Sequence, residues 1–212
     1  QGKYDQADPL YSRAIKIWEA ALGPDHPQVA TGLSNRAQLL RHQGKYLEAG
    51  PLCERSLDIR EKALGLEHPR VAQSLNKLAE LWIAQSRIIR GNYGKADPLY
   101  ERSLAIRENA LGPEHPDVAQ SLNNPAELSR AEGKYGKAGL LYERSLAIRE
   151  KALGPEHPDV SRSLHNQAEF CRAQEKYTEA IPLLERALSI CMKKFGGNHP
   201  GTVSTQNSLE VV

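Results

Sequence analysis

The chain contains no apolar run near the ~18 residues that a membrane span needs. It opens on no charged-then-apolar leader. It has no basic tract, because its Lys and Arg are spread over its whole length. Charged residues are 25% of the chain and the formal net charge is +2. Neither nucleic acid nor a membrane surface is therefore expected as a partner. Cysteine is scarce: Cys53, Cys171 and Cys191 have no metal-type spacing. Cys171 and Cys191 are expected on two antiparallel helices of one hairpin. About 12 residues of offset at ~1.5 Å each place them roughly 19 Å apart, beyond disulfide reach. Reduced, packed thiols in a cytoplasmic protein are the expectation. Catalytic signatures are missing too: the chain has no His-Glu-x-x-His, no Gly-x-Ser-x-Gly and no Cys/His pair at useful spacing. The glycine-rich stretches 91–96 and 133–138 are too short for a phosphate loop and lack its Ser/Thr. They read as turns. No enzyme and no cofactor are expected. Mean hydropathy is low, at −0.57.

Against these absences stands a strict period, which a disordered chain has no reason to keep. His-Pro recurs at 26–27, 68–69, 115–116, 157–158 and 199–200. Gly-Lys/Asn-Tyr recurs at 2–4, 44–46, 91–93 and 133–135, with a worn copy, Glu-Lys-Tyr, at 175–177. Both series step by 42, 47, 42 and 42 residues. A fixed period in this range implies stacked repeats, each touching its neighbours, and a surface rather than chemistry.

The unit reads as two helices. In 93–111, Ala96, Leu99, Tyr100, Ser103, Leu104 and Ile106 follow i, i+3, i+4, i+7 spacing, and Gly112-Pro113 stops the helix. Pro116 suits a first helical position, where its missing N–H costs nothing. A second helix runs from Asp117 to Ala131 and closes on Gly133. The five His-Pro histidines lie one per repeat, about 10 Å apart. They are too dispersed to share a metal ion, and none is expected. Pro9, Pro51, Pro98 and Pro182 recur near the start of the second helix, where each deletes a backbone bond; the fourth copy has Leu140.

The pattern Leu75-x2-Leu78-Ala79-x2-Trp82, followed by Ala96-x3-Tyr100-x2-Ser103, resembles a tetratricopeptide repeat (TPR). The eight residues beyond the usual 34, and the string Ala-Leu-Gly-Pro-Glu-His-Pro-Asp-Val at 110–118 and 152–160, resemble the 42-residue repeats of kinesin light chains and nephrocystin-like proteins. The resemblance implies an all-α, right-handed solenoid of about ten helices. A single array over 1–212 is expected, with a second helix of a truncated repeat at 3–22. Full A/B pairs come next, at 26–64, 68–111, 115–153 and 157–195, with an unpaired A helix from 200. The array reads as a segment of a longer one, grown by duplication: 96–124 and 138–166 match at 23 of 29 positions.

The resemblance further implies that the A helices line a concave groove that binds a protein or peptide partner. On the first A helix the implied groove residues are Thr31, Ser34, Gln38 and Arg41, and on the second Gln73, Asn76, Glu80 and Ile83. On the third they are Gln120, Asn123, Glu127 and Arg130, and on the fourth Arg162, His165, Glu169 and Arg172. Asn35, Asn124 and Asn166, one residue further on, lean the same way. Asn and Gln offer a donor and an acceptor to an extended backbone, and Arg offers a fork to carboxylates. The two-carboxylate clamp of chaperone-binding TPRs is not matched, since Ser34 and Gln38 stand where Lys and Asn would be needed. An adaptor scaffold is the expected role. The alternatives are a sensor array of a larger signalling ATPase, or a spacer that self-associates through open terminal helices.

Three departures from the pattern carry expectations. The core position before the small alanine of helix A reads Arg36, Leu78, Pro125 and Gln167. A kink at Pro125 is expected, since an interior proline costs ~3 kcal/mol or more. The aromatic position reads Leu40, Trp82, Ser129 and Cys171, so the third and fourth A helices are expected to pack loosely. A five-residue insertion, Ser86-Arg87-Ile88-Ile89-Arg90, is expected in the turn between the two helices of its repeat. It either contacts a partner or covers the neighbouring hairpin.

Overall fold

The computed structural model describes residues 4–89 and 93–211, with only the backbone described for 87–89. Ten α-helices succeed one another: α1 (Tyr4–Leu22), α2 (Pro27–His42), α3 (Tyr46–Leu64), α4 (Pro69–Ile89), α5 (Asp97–Leu111), α6 (Pro116–Ala131), α7 (Tyr135–Leu153), α8 (Pro158–Arg172), α9 (Tyr177–Phe195) and α10 (Pro200–Glu210). There is no strand among the described residues. The chain divides into two compact units, 1–110 and 111–212.

Helices start where His-Pro stands, for a reason that the bare dipeptide does not reveal. In all five copies the histidine Nδ1 accepts the backbone N–H two residues on, at Gln28, Arg70, Asp117, Asp159 and Gly201, each at 3.1 Å. The ring thus satisfies one of the donors that every helix start leaves unpaired. Proline then fills the first helical position. We expect His115→Ala to lower unfolding free energy by about 1 kcal/mol and His115→Asp to retain most of it. Thermal unfolding of both variants measures this, and a harmless alanine would remove the cap from the account.

The A helices end in a left-handed residue that turns the chain back. Gly44 and Gly133 have φ of +75°, and the N–H of the next residue reaches a carbonyl five residues back: Lys45 to Leu40 (2.9 Å) and Lys134 to Ser129 (2.8 Å). The worn copy makes the same bond, Lys176 to Cys171 at 3.0 Å, but holds Glu175 at φ +60°, a conformation that favours glycine.

Each hairpin closes over the same apolar set. Val29, Ala30 and Leu33 of α2 meet Ile59 of α3. Val160 and Leu164 of α8 meet Ala187 and Ile190 of α9. A buried serine hydroxyl ties the pair. Ser56, Ser103 and Ser145 on B helices donate to the carbonyls of Ala30, Ala72 and Ala119 on A helices, at 2.7, 2.8 and 2.9 Å. In the last pair the two residues trade places: Ser161 of α8 donates to the Ala187 carbonyl of α9, at 3.1 Å. One bond is thus kept with its donor on the opposite helix.

Successive repeats are joined by a second recurring contact. Arg60 of α3 is buried and its Nη1 donates to Ser74 Oγ of α4 at 2.5 Å. Arg149 of α7, only 1% exposed, donates to Ser163 Oγ (2.6 Å) and to the Asp159 carbonyl (3.2 Å) on α8. Its Nη2 reaches Gln120 Oε1 on α6 at 2.8 Å. One guanidinium therefore pins two A helices. Burial pushes it down to about 10, so it stays charged at neutral pH. The first junction uses another pair at the same two positions: Trp18 of α1 lies on Gly32 of α2, where a Cβ would meet the ring at 2.7 Å.

The insertion is not in a turn. It lengthens α4 to 21 residues, against 16, 16 and 15 for α2, α6 and α8. The stretch Ala84–Ile89 contains no Gly or Pro to stop a helix. The phase shift falls instead on the next helix: a 3₁₀ turn at Tyr93–Lys95 replaces the first turn of α5, which is 15 residues long where α3, α7 and α9 have 19. Pro98 sits at the start of α5, while Pro9, Pro51 and Pro182 lie inside their helices. What the side chains of Arg87, Ile88, Ile89 and Arg90 touch lies outside the described residues.

Pro125 is buried inside α6, which runs on through it. Ser129 Oγ and Gln167 Oε1 are buried without hydrogen-bond partners, yet α6 and α8 are not loosely packed as expected: Ala126, Tyr142, Ala168, Phe170 and Cys171 form one buried cluster. Repeat four finds its aromatic one residue early. Phe170, not Cys171, packs on Tyr142, with ring centroids 5.4 Å apart. Arg36, in a core position of α2, is held by Asp8 of α1 through both carboxylate oxygens, at 2.7 and 3.2 Å. That bond keeps the Asp8 carboxyl below its usual range. The three cysteines are buried free thiols.

Candidate functional site

The polar face of each A helix is the opposite of its apolar stripe, and the two units present it separately. In the first unit Thr31 is spent locally, its hydroxyl donating to the Pro27 carbonyl at 3.2 Å. Ser34 is buried rather than displayed, and accepts from Lys77 Nζ at 3.0 Å. Asn35 and Gln73 are exposed, and Gln38, Asn76 and Ile83 are half-buried. Arg41 of α2 reaches Glu80 of α4 at 3.3 Å, tying neighbouring A helices across the face. A depression of about 320 Å³ between α1 and α2 is lined by Tyr4, Tyr11, Asn35, Gln38, Leu39 and His42.

Lys77 is the residue that the sequence pattern passed over. It holds in α4 the position of Asn35, Asn124 and Asn166, so the repeat spacing alone could have found it. Burial pushes its ammonium down, with Arg60 adding like-charge repulsion. Beside it, burial pushes the Cys53 thiol up to about 11, which makes it a packed sulfur and not a nucleophile. The void among Ser34, Gln38, Arg41, Cys53 and Lys77 is only about 10 Å³, room for one water at most.

In the second unit the face is built from linked pairs. Glu127 accepts from Arg130 at 2.7 and 3.2 Å and also from the Tyr142 hydroxyl. Burial, then that bond, raises the Tyr142 phenol well above its ordinary value. Glu169 holds Arg172 at 2.7 Å. Gln120 Oε1 accepts from Arg162 (2.6 Å) as well as from Arg149, and Arg162 also pairs with Asp159 at 2.8 Å. Asn124 and Asn166 are half-buried. Asn123 departs from expectation: it is buried, its amide donating to the Ala119 carbonyl at 3.5 Å and its Oδ1 accepting from Ser145. His165 is half-buried, with its Nδ1 enclosed and unpartnered.

Both faces are therefore nearly charge-balanced, with each Arg already on a Glu or Asp. Such part-exposed pairs contribute up to ~1 kcal/mol each. Among the described residues no cluster of His, Cys, Asp and Glu could hold a metal ion. None of the described helices is long and apolar enough to cross a membrane.

The tetratricopeptide repeat family model matches residues 1–41, 28–88, 79–151 and 159–212. A crystal structure of nearly identical TPR-like repeats, assigned to a kinesin light chain of Podosopora anserina, is 30% identical with a TM-score of 0.72. The match covers 87% of this chain and 85% of that one. BtubC (BKLC) from P. vanneervenii superposes at a TM-score of 0.76 with 24% identity, over 94% of this chain and 77% of that one. MamA superposes at 0.58 with 16% identity, over 93% and 88%. The last two speak for the fold alone. No curated protein matches the sequence.

Proposed function

We propose, from the premise that the chain belongs to the tetratricopeptide repeat family, that its A-helix faces read an extended or helical segment of a partner protein. The family and its kinesin light chain-like neighbours make the chain an interaction scaffold in general, of a fold that is typically non-enzymatic. The finer reading, an adaptor that seats one segment, is ours. It is carried by the pairing of charges on the face. The first unit has Arg41–Glu80 with the amides of Gln38, Gln73 and Asn76 beside it, and the second has Arg130–Glu127 and Arg172–Glu169. A partner carrying carboxylates and free backbone groups finds bidentate and two-way hydrogen bonding on each unit. Three buried thiols suit a reducing compartment such as the cytoplasm.

Peptide-display selection on the purified chain tests this, with a variant carrying Gln73→Ala, Asn76→Ala, Arg130→Ala and Arg172→Ala as counter-selection. We expect enriched peptides to share a pattern and to bind the variant at least tenfold more weakly, about 1.4 kcal/mol. Asn123 is left intact because it is part of the core. Enrichment indifferent to the four substitutions would reduce the face to a solvated surface.

A further inference from the structure

The α8–α10 step is built like the α6–α8 step with its central pin removed. The position of Arg149 is Cys191 on α9, and that of Asp159 is Gly201 on α10. The counterpart of Ser163, which receives the guanidinium, is Thr205, whose hydroxyl turns back to the Gly201 carbonyl at 2.9 Å. The counterpart of Gln120, the acceptor for Arg149, is Arg162, a donor. At this step the structure has a cavity of about 360 Å³. Its walls include Arg162, His165, Cys191, Phe195, His199 and Thr205.

We propose that this cavity is a binding site for a small organic acid, with the carboxylate at Arg162 and an apolar body against Cys191 and Phe195. The volume falls within the range of small-molecule sites, roughly 300–1,000 Å³. Polarity selects the guest. Arg162 uses one nitrogen, Nη2, for both Gln120 and Asp159, which leaves the rest of its fork for a ligand. His165 is on the same wall, but its Nδ1 is enclosed by protein and does not open to the guest. His199 accepts the Gly201 N–H at Nδ1, so its neutral ring carries the proton on Nε2 and is a further donor. Asp159, the acid of the lining, is already held by Arg162 at 2.8 Å. A cationic guest would face donors, and a purely apolar one would leave them desolvated. On the apolar side, the Phe195 and His199 rings stack with centroids 4.4 Å apart. A bound acid replaces the missing pin and ties α10 to α8.

The test uses the whole chain and three probes of one shape: 3-phenylpropionate, 3-phenylpropanol and 3-phenylpropylamine. Titration monitored by amide NMR should show saturable shifts in 158–165 and 199–205 with the acid. The alcohol and the amine should bind at least about tenfold more weakly. Amide exchange in α10 should slow with the acid bound. Cys191→Arg refills the space as Arg149 does and should abolish binding; Cys191→Phe fills it without charge and is the check if the arginine variant does not fold. Arg162→Gln should cost the acid about tenfold and leave the alcohol unchanged. Three results would overturn the site: no saturable shift at millimolar acid, equal affinity for acid and alcohol, or undiminished binding in a folded Cys191 variant.

Discussion

Replacing Arg149 with alanine lowers the unfolding free energy by about 3 kcal/mol, while replacing it with methionine costs about 1 kcal/mol. The asymmetry comes from what each variant removes. Methionine keeps the stem that fills the space between α6, α7 and α8, and gives up the hydrogen-bonding fork. Alanine gives up both, leaving a cavity and two acceptors, Ser163 Oγ and the Asp159 carbonyl, without the arginine, while Gln120 Oε1 keeps Arg162. Removing a buried charge recovers its desolvation cost, which keeps both figures at or below the low end for a broken buried ion pair. Urea unfolding of both variants gives the numbers. Equal losses would mean that the arginine acts through hydrogen bonds alone, and a harmless alanine would mean that the repeats cohere without it.

Pro125→Leu should move stability the other way, by about 2–3 kcal/mol. Proline at 125 has no N–H for the Ser121 carbonyl, and its ring crowds that carbonyl inside a helix that continues for six more residues, to Ala131. The same position in α4 is Leu78, which is buried, so leucine fits the architecture of the site. Pro125→Ala separates the two contributions: it restores the backbone bond without filling the volume, and should gain less than leucine. The gain should appear as slower amide exchange confined to α6 and its partner α7. A destabilised leucine variant would mean that α6 and its neighbours have settled around the ring.

The fold was open to reading because its signals are local and repeated five times. Gly and Pro sit at helix ends and the apolar spacing is helical; the A helix expected over 117–131 runs Pro116–Ala131. Around the insertion the sequence misled, because five residues without a breaker continue a helix more readily than they make a loop. The inter-repeat pins were hidden for a different reason. An arginine on a polar-looking sequence is assumed to be solvated, and nothing local marks Arg60 or Arg149 as buried; only its serine, 14 residues on and in the next repeat, identifies the pair. The candidate face was half legible. The resemblance placed the face on the A helices, but Ser34 and Asn123 lie on the boundary of the stripe, and a shift of a few tens of degrees takes each of them into the core. Lys77 breaks the run of amides formed by Asn35, Asn124 and Asn166 at the same position, so an amide pattern does not reveal it.

The Trp18–Gly32 pair makes the repeats unequal parts. Where Arg60 needs Ser74, Trp18 needs no side chain at all, since even a methyl at Gly32 would lie inside the indole. An A helix from one repeat cannot be exchanged for another without the B helix before it. The heritable module is thus the seam, a B helix with the A helix after it, and not the hairpin that the eye picks out. Recombination or design that cuts between the two helices of a hairpin keeps every seam matched, while a cut at the hairpin's edge mismatches one.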